Sequence, residues 1–149
     1  MLGAGFQVED PQVIRLSRLS DYGIVLMAHL AEQPPESQHS ARGIALGTRL
    51  PLPVVSKILK ALAREGLLHS QRGPRGGYTL ARRPEEISVA EMITALEGPI
   101  GLTECTMHPG QCVQEARCHV RKPWQQINHI VRSALAGVTL AQLAASDGR

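Results

Sequence analysis

The stretch Pro53-Val54-Val55-Ser56-Lys57-Ile58-Leu59-Lys60-Ala61-Leu62-Ala63-Arg64-Glu65-Gly66 decides the architecture, together with the short strand signals that come after it. Val55, Ile58, Leu59 and Leu62 fall within one stripe about 100° wide at helical pitch, so the segment predicts an amphipathic helix. Pro53 suits a first helical position and Gly66 a C-terminal stop. Pro53, Lys57, Lys60 and Arg64 then occupy the face opposite the apolar stripe. The two strand signals are Leu67-Leu68-His69-Ser70 and Tyr78-Thr79-Leu80, on either side of Gln71-Arg72-Gly73-Pro74-Arg75-Gly76-Gly77. Glycine and proline at that density mark a tight turn, so the pattern is a β-hairpin carrying Arg72 and Arg75 at its tip.

Two further helices precede this unit. Ser20-Asp21 offers capping chemistry for a helix carrying Tyr22, Val25, Leu26, His29 and Leu30 at helical spacing. The run Gln33-Pro34-Pro35-Glu36-Ser37-Gln38 breaks it, and a short helix with Ile44, Ala45 and Thr48 starts after Ser40. Residues 1–13 show no periodicity and read as a flexible lead. Three helices and a hairpin describe a winged helix-turn-helix, in which one helix enters the DNA major groove and the hairpin tip reaches the backbone or minor groove. Val54 and Ser56 sit at the start of the third helix, the part that meets bases in such units, and Lys57 and Lys60 can meet phosphates or base edges.

Charge distribution agrees. From Arg15 to Arg83 there are eleven Lys/Arg against four Asp/Glu, whereas the rest of the chain has five against nine. A basic front half points to an anionic partner, with double-stranded DNA the first candidate; an ordinary solvated face is the plainer explanation of any isolated basic run. Aromatic residues are only 3 % of the chain, which favours an aliphatic, helix-rich interior. No apolar run approaches a membrane span and no basic head precedes an apolar stretch, so the chain reads as cytoplasmic. No Ser/His/Asp or Cys/His constellation points to an enzyme.

Beyond the hairpin, Ser88-Val89-Ala90-Glu91 matches a capping box and opens a helix to about Glu97, ended by Gly98-Pro99. A long helix runs from about Pro123 to Ala136 with Trp124, Ile127, Val131 and Leu135 at helical spacing, and Thr139 can cap a short closing helix. Between them lies a loop holding all three cysteines, Cys105, Cys112 and Cys118. An odd number of thiols in one polar loop argues against a disulfide framework and for metal or redox chemistry. Zinc modules usually pair cysteines two to four residues apart, which is not the spacing here. An iron–sulfur cluster, a structural zinc and a redox-active thiol all remain open, in that order. His108, His119 and Glu104 are local candidates for a further ligand.

Nearly the whole chain, from about Ile14 to Leu143, resembles the bacterial iron–sulfur-responsive winged-helix regulators typified by IscR and NsrR. The likeness rests on Arg15-Leu16-Ser17, on Leu50-Pro51-Leu52-Pro53, on Arg72-Gly73-Pro74-Arg75-Gly76-Gly77-Tyr78, on Ile87-Ser88-Val89-Ala90-Glu91-Met92-Ile93 and on the three-cysteine loop. Leu102-Thr103-Glu104-Cys105 and Trp124-Gln125-Gln126-Ile127-Asn128 look typical of the subgroup that regulates the sulfur-mobilisation operon for cluster assembly. The resemblance implies a mainly α fold, a winged helix-turn-helix with a long C-terminal dimerisation helix that crosses to the second subunit of a homodimer. It implies that Arg72 enters the minor groove and that Pro53, Val54, Ser56 and Lys57 read bases. It also implies a 2Fe-2S or 4Fe-4S cluster on Cys105, Cys112 and Cys118.

One ligand departs from the pattern. The 2Fe–2S type carries a histidine three residues after the third cysteine, where this sequence has Arg121. The nitric-oxide-sensing type uses an aspartate of the first helix of the other subunit, and the matching position is Asp21, placed ahead of His119 and Glu104 as fourth ligand. The resulting expectation is a lead over 1–13, a DNA-binding unit over 14–98, a cluster loop over 99–122 and a dimerisation helix with tail over 123–149. The cluster would tie the loop to the first helix and so set the separation of two reading heads on a palindromic operator of cluster-assembly genes.

Overall fold

In the computed structural model, residues 15–145 are described, apart from the Glu104 side chain; the expected lead over 1–13 and the ligand role of Glu104 lie outside them. The chain folds as α1 (Arg18–Ala31), α2 (Ala41–Thr48), α3 (Leu52–Arg64), β1 (Leu68–Gln71), β2 (Gly77–Leu80), α4 (Val89–Glu97), α5 (Glu104–Met107), α6 (Arg121–Ala136) and α7 (Leu140–Ala145). This is the mainly helical winged helix-turn-helix expected from the sequence. No described helix is long and apolar enough to cross a membrane.

The apolar stripe of α3 organises the core. Val55, Ile58, Leu59 and Leu62 are each fully buried, against Leu26, Met27 and Leu30 of α1, Ile44 of α2 and Met92 of α4. Burying an aliphatic side chain of this size contributes about 1.5–3 kcal/mol. Committing one face of α3 inward leaves Pro53, Lys57, Lys60 and Arg64 outside. The helix starts shortly after an αL residue, Arg49, with Pro51 as its extended N-cap.

One boundary differs from expectation. Ser17, not Ser20, caps α1: its side chain accepts the Ser20 N–H at 3.2 Å. Ser20 is instead fully buried within the helix. Both are serines three residues apart, so residue type alone does not separate cap from core. Ser40 caps α2 as expected, accepting the Gly43 N–H at 3.0 Å.

The wing is an antiparallel pair with Leu68 opposite Leu80 and Gln71 opposite Gly77. The segment joining α1 to α2 lies along its outer edge: His39 donates to Tyr78 O at 3.1 Å and Tyr78 donates to His39 O at 2.8 Å. Gln38 adds a side-chain hydrogen bond to Gln71 at the end of β1. A Cβ on Gly77 would stand 2.6 Å from His39 O, so this close approach requires glycine. The end of the wing nearest its turn is thus held from both strands.

After β2, the Ser88–Glu91 capping box opens α4, with both reciprocal hydrogen bonds present. Glu91 also meets Arg82 at 2.6 Å. Burial pushes the Glu91 carboxyl up, but the Ser88 N–H and the Arg82 guanidinium outweigh it and leave the group below its usual range. A depressed folded-state value means that Glu91 stabilises the protein above the ordinary glutamate range and loses that contribution as acid protonates it. Glu91→Gln is therefore expected to lower the urea midpoint at neutral pH and to converge with the wild-type protein in acid, so that its midpoint falls less steeply between about pH 5 and pH 3. Parallel curves for the two proteins would contradict this role.

The chain leaves the core after α4 and comes back at Thr139, which bridges Ser88; Val89 donates to Val138 O at 2.9 Å and Leu140 donates to Ile87 O at 2.8 Å. Leu140 is fully buried, so α7 is part of the winged-helix core. α5 and the cysteine loop form an excursion from this core, whereas α6 packs back on α4 and Leu135 reaches the core.

Candidate nucleic-acid interface and cysteine loop

Lys57, Lys60 and Arg64 are exposed along α3, and Pro53 is exposed at its start. Ser56 is half-buried, and Val54 is partly committed to the core. At the wing tip, Gly76 donates to Gly73 O at 2.9 Å and closes the turn, which leaves Arg72 and Arg75 exposed. Gly73 has φ 108°, a conformation that glycine adopts at little cost. Two more cations join them that the sequence did not single out. Arg42 on α2 and Arg49 at its C-cap are both exposed, and lie seven residues apart, about two helical turns. That spacing was the available signal, obscured because α2 is short and rich in glycine and alanine.

Pairing separates these cations from others. Arg82 pairs with Glu91, Arg83 with Glu86 and Arg121 with Glu115. Among the described residues, Arg42, Arg49, Lys57, Lys60, Arg64, Arg72 and Arg75 have no such carboxylate partner. Among the described residues Arg18, Arg117, Lys122 and Arg132 also have no such partner; the first set differs in lying on α2, α3 and the wing. Such unneutralised charge on α2, α3 and the wing is of the kind that attracts the phosphates of duplex DNA.

The cysteine loop is anchored from below. Asn128, the one buried residue of α6, accepts the Leu102 N–H at 3.0 Å and donates to Ile100 O at 3.3 Å. Cys105 lies in α5, buried, with Thr103 Oγ1 3.2 Å from its Sγ. Cys112 and Cys118 are half-buried, and all three thiols are free. Glu115, midway between Cys112 and Cys118, accepts the Gly110 N–H and pairs with Arg121 at 3.0 Å. Arg121 thus does structural duty at the position where the 2Fe–2S pattern has a histidine ligand. Asp21 is exposed in the first turn of α1, and His108 and His119 are exposed on the loop. Among the described residues no three His, Cys, Asp or Glu side chains are grouped to hold a metal ion. The donors are thus of the right kind, soft thiols without disulfide partners, but are not gathered round one centre in this conformation.

On α6, Trp124, Ile127 and Ile130 are exposed at three-residue spacing. An amphipathic helix with an uncovered apolar face is built to meet another surface.

Comparison with known proteins settles the class. The model of the Rrf2 family, described as iron-dependent transcriptional regulators, matches residues 16–146. This chain belongs to the Rrf2 family. It is 30 % identical over 136 residues to the transcriptional regulator CymR of Bacillus subtilis, covering 91 % of this chain and 94 % of that one. It is 28 % identical over 130 residues to IscR of Aliivibrio salmonicida, covering 87 % and 77 %. Among solved structures, CymR, the global cysteine regulator of B. subtilis, superposes with a TM-score of 0.71 at 30 % identity, over 89 % of this chain and 97 % of that chain. IscR of T. potens superposes with a TM-score of 0.64 at 28 % identity, over 87 % and 85 %. This Rrf2 protein is a helix-turn-helix DNA-binding transcription regulator and not an enzyme.

Proposed function

We propose that the protein binds a palindromic operator as a homodimer and that an iron–sulfur cluster on its cysteine loop governs that binding. Residues 14–98 form the reading unit, 99–122 the sensing loop and 123–149 the dimerising arm, with α7 folded back on the reading unit. Pro53, Val54, Ser56 and Lys57 face bases, Lys60 and Arg75 meet phosphates, and Arg72 reaches the minor groove. The apolar face of α6, with Trp124, Ile127 and Ile130, meets its counterpart in the second subunit. The protein acts in the cytoplasm, on genes of cluster assembly.

The observation that carries the sensing part is the placement of three free thiols in one excursion anchored at both ends to the DNA-binding core. Cys105, Cys112 and Cys118 would hold the cluster, with Asp21 of the partner subunit as fourth ligand ahead of His119 and Glu104. A bound cluster supplies a centre that oxidation or nitric oxide can alter. Asn128 holds the loop to α6, so a change at the thiols bears on the dimerising arm. Likeness to IscR supports this reading; likeness to CymR, with the ungathered thiols, favours a second one, in which the loop carries redox-active thiols, its other form being a structural zinc in a constitutive DNA-binding protein.

Protein purified without oxygen distinguishes them. The cluster reading expects a coloured protein containing iron and sulfide, and loss of both the chromophore and the cellular response in Cys105→Ala, Cys112→Ala and Cys118→Ala. A colourless protein free of iron and sulfide that responds normally in cells would overturn it in favour of the thiol or zinc reading.

A further inference from the structure

Arg49 closes α2 in the left-handed conformation, φ 58° and ψ 32°. Side chains with a Cβ avoid this region, and helix ends that need it usually take glycine or asparagine. The turn is closed by the Leu50 N–H donating to Ala45 O at 3.2 Å, but among the described residues the Arg49 guanidinium has no hydrogen bond or ion pair, and the side chain is exposed. The other non-glycine residue with positive φ is Glu36, within the Pro34–Ser37 turn on the far side of Ser40. The capping bond accounts for the left-handed turn but not for an arginine in place of glycine, and a side chain without a local use at such a position points to an external partner.

Placement indicates which partner. Arg49 stands two residues before Pro51, the N-cap of α3, at the end of the helix that presents Pro53 and Lys57. From Ser40 to Arg64 the chain carries Arg42, Arg49, Lys57, Lys60 and Arg64 and no Asp or Glu. A long cationic side chain leaving a turn beside the reading end of α3 suits the DNA backbone rather than a base edge. Guanidinium binds phosphate through paired N–H donors, without needing the fixed approach that base reading requires.

We propose that Arg49 is a DNA-phosphate ligand, which makes the turn between α2 and α3 part of the interface, and that arginine is kept at this left-handed position, in place of glycine, for this contact. The inference rests on the reading that the N-terminal end of α3 faces DNA.

The two demands oppose one another, and that gives the test. Binding is measured by fluorescence anisotropy over a salt series, on a duplex selected by the wild-type protein from a random pool and on a random duplex. Arg49→Gly should raise the thermal midpoint by about 2–4 °C while weakening both duplexes alike by about tenfold. The log–log salt slope should lose about one unit. Arg49→Asn, which tolerates the left-handed region, should repeat the pattern, whereas Arg49→Lys should keep most of the affinity and the lower midpoint. If Arg49→Gly and Arg49→Asn bind as tightly as wild type with an unchanged slope while Lys57→Ala binds weakly, the proposal fails alone. If Lys57→Ala also binds normally, the placement of α3 on DNA fails with it.

Discussion

Removal of both wing arginines, Arg72→Ala with Arg75→Ala, is expected to weaken operator binding about 100-fold at moderate salt, which is about 2.8 kcal/mol at about 1.4 kcal/mol per decade. Both side chains are exposed at a turn built from Gly73, Pro74 and Gly76, so truncating them costs the fold almost nothing. Their loss is felt only on DNA. Neither has a carboxylate partner among the described residues, so no intramolecular pair compensates in the free protein. The log–log slope of affinity against salt should fall by one to two units, nearer two if both arginines lie on phosphates. Electrophoretic mobility shifts with an unchanged thermal midpoint would establish the effect. An unaltered affinity would place the wing away from DNA and leave α3 to act alone.

The largest effect on stability is expected at Leu140. Leu140→Ala removes a fully buried side chain at the point where α7 docks against α1 and the Pro84–Glu86 turn, and should cost about 2–5 kcal/mol. Domains of this size hold about 5–15 kcal/mol in all, so part of the population would unfold at physiological temperature. Urea unfolding followed by circular dichroism measures it. A loss under about 1 kcal/mol would mean that the C-terminal segment is not integral to the core.

The sequence was most legible where physical chemistry is local. The stripe Val55, Ile58, Leu59 and Leu62 gives α3 and its buried face directly, because burial follows from periodicity. The Ser88–Glu91 capping box is local in the same sense, and both of its hydrogen bonds are present. Contacts between distant segments were not legible. His39 alongside Tyr78 and Gln38 against Gln71 join residues more than thirty positions apart, and nothing in either segment announces the other. Asn128 in the body of α6 has the look of an ordinary polar residue, yet it orders the loop 26 residues before it. The helix signal also starts late, at Trp124 and its apolar companions, whereas α6 begins at Arg121, within reach of Glu115. At the candidate site, the exposed cations of α3 and the wing were readable as a face. Arg49 was not, since a left-handed backbone at an arginine contradicts the propensity on which such reading depends.

The bridge between Ser88 and Thr139 pins the start of α4 to the chain just after α6, so α4, the thiol-bearing loop and α6 make one closed circuit. Closure entropy rises only with the logarithm of length, about 0.6 kcal/mol for each doubling. An insertion, a deletion or an exchange of donor atoms in the loop between Thr103 and Val120, outside α4 and α6, is therefore expected to cost the winged-helix scaffold little. The closed circuit acts as a fixed socket for an exchangeable loop, and a chimera bearing another regulator's segment between Thr103 and Val120 should still fold around the same winged-helix core.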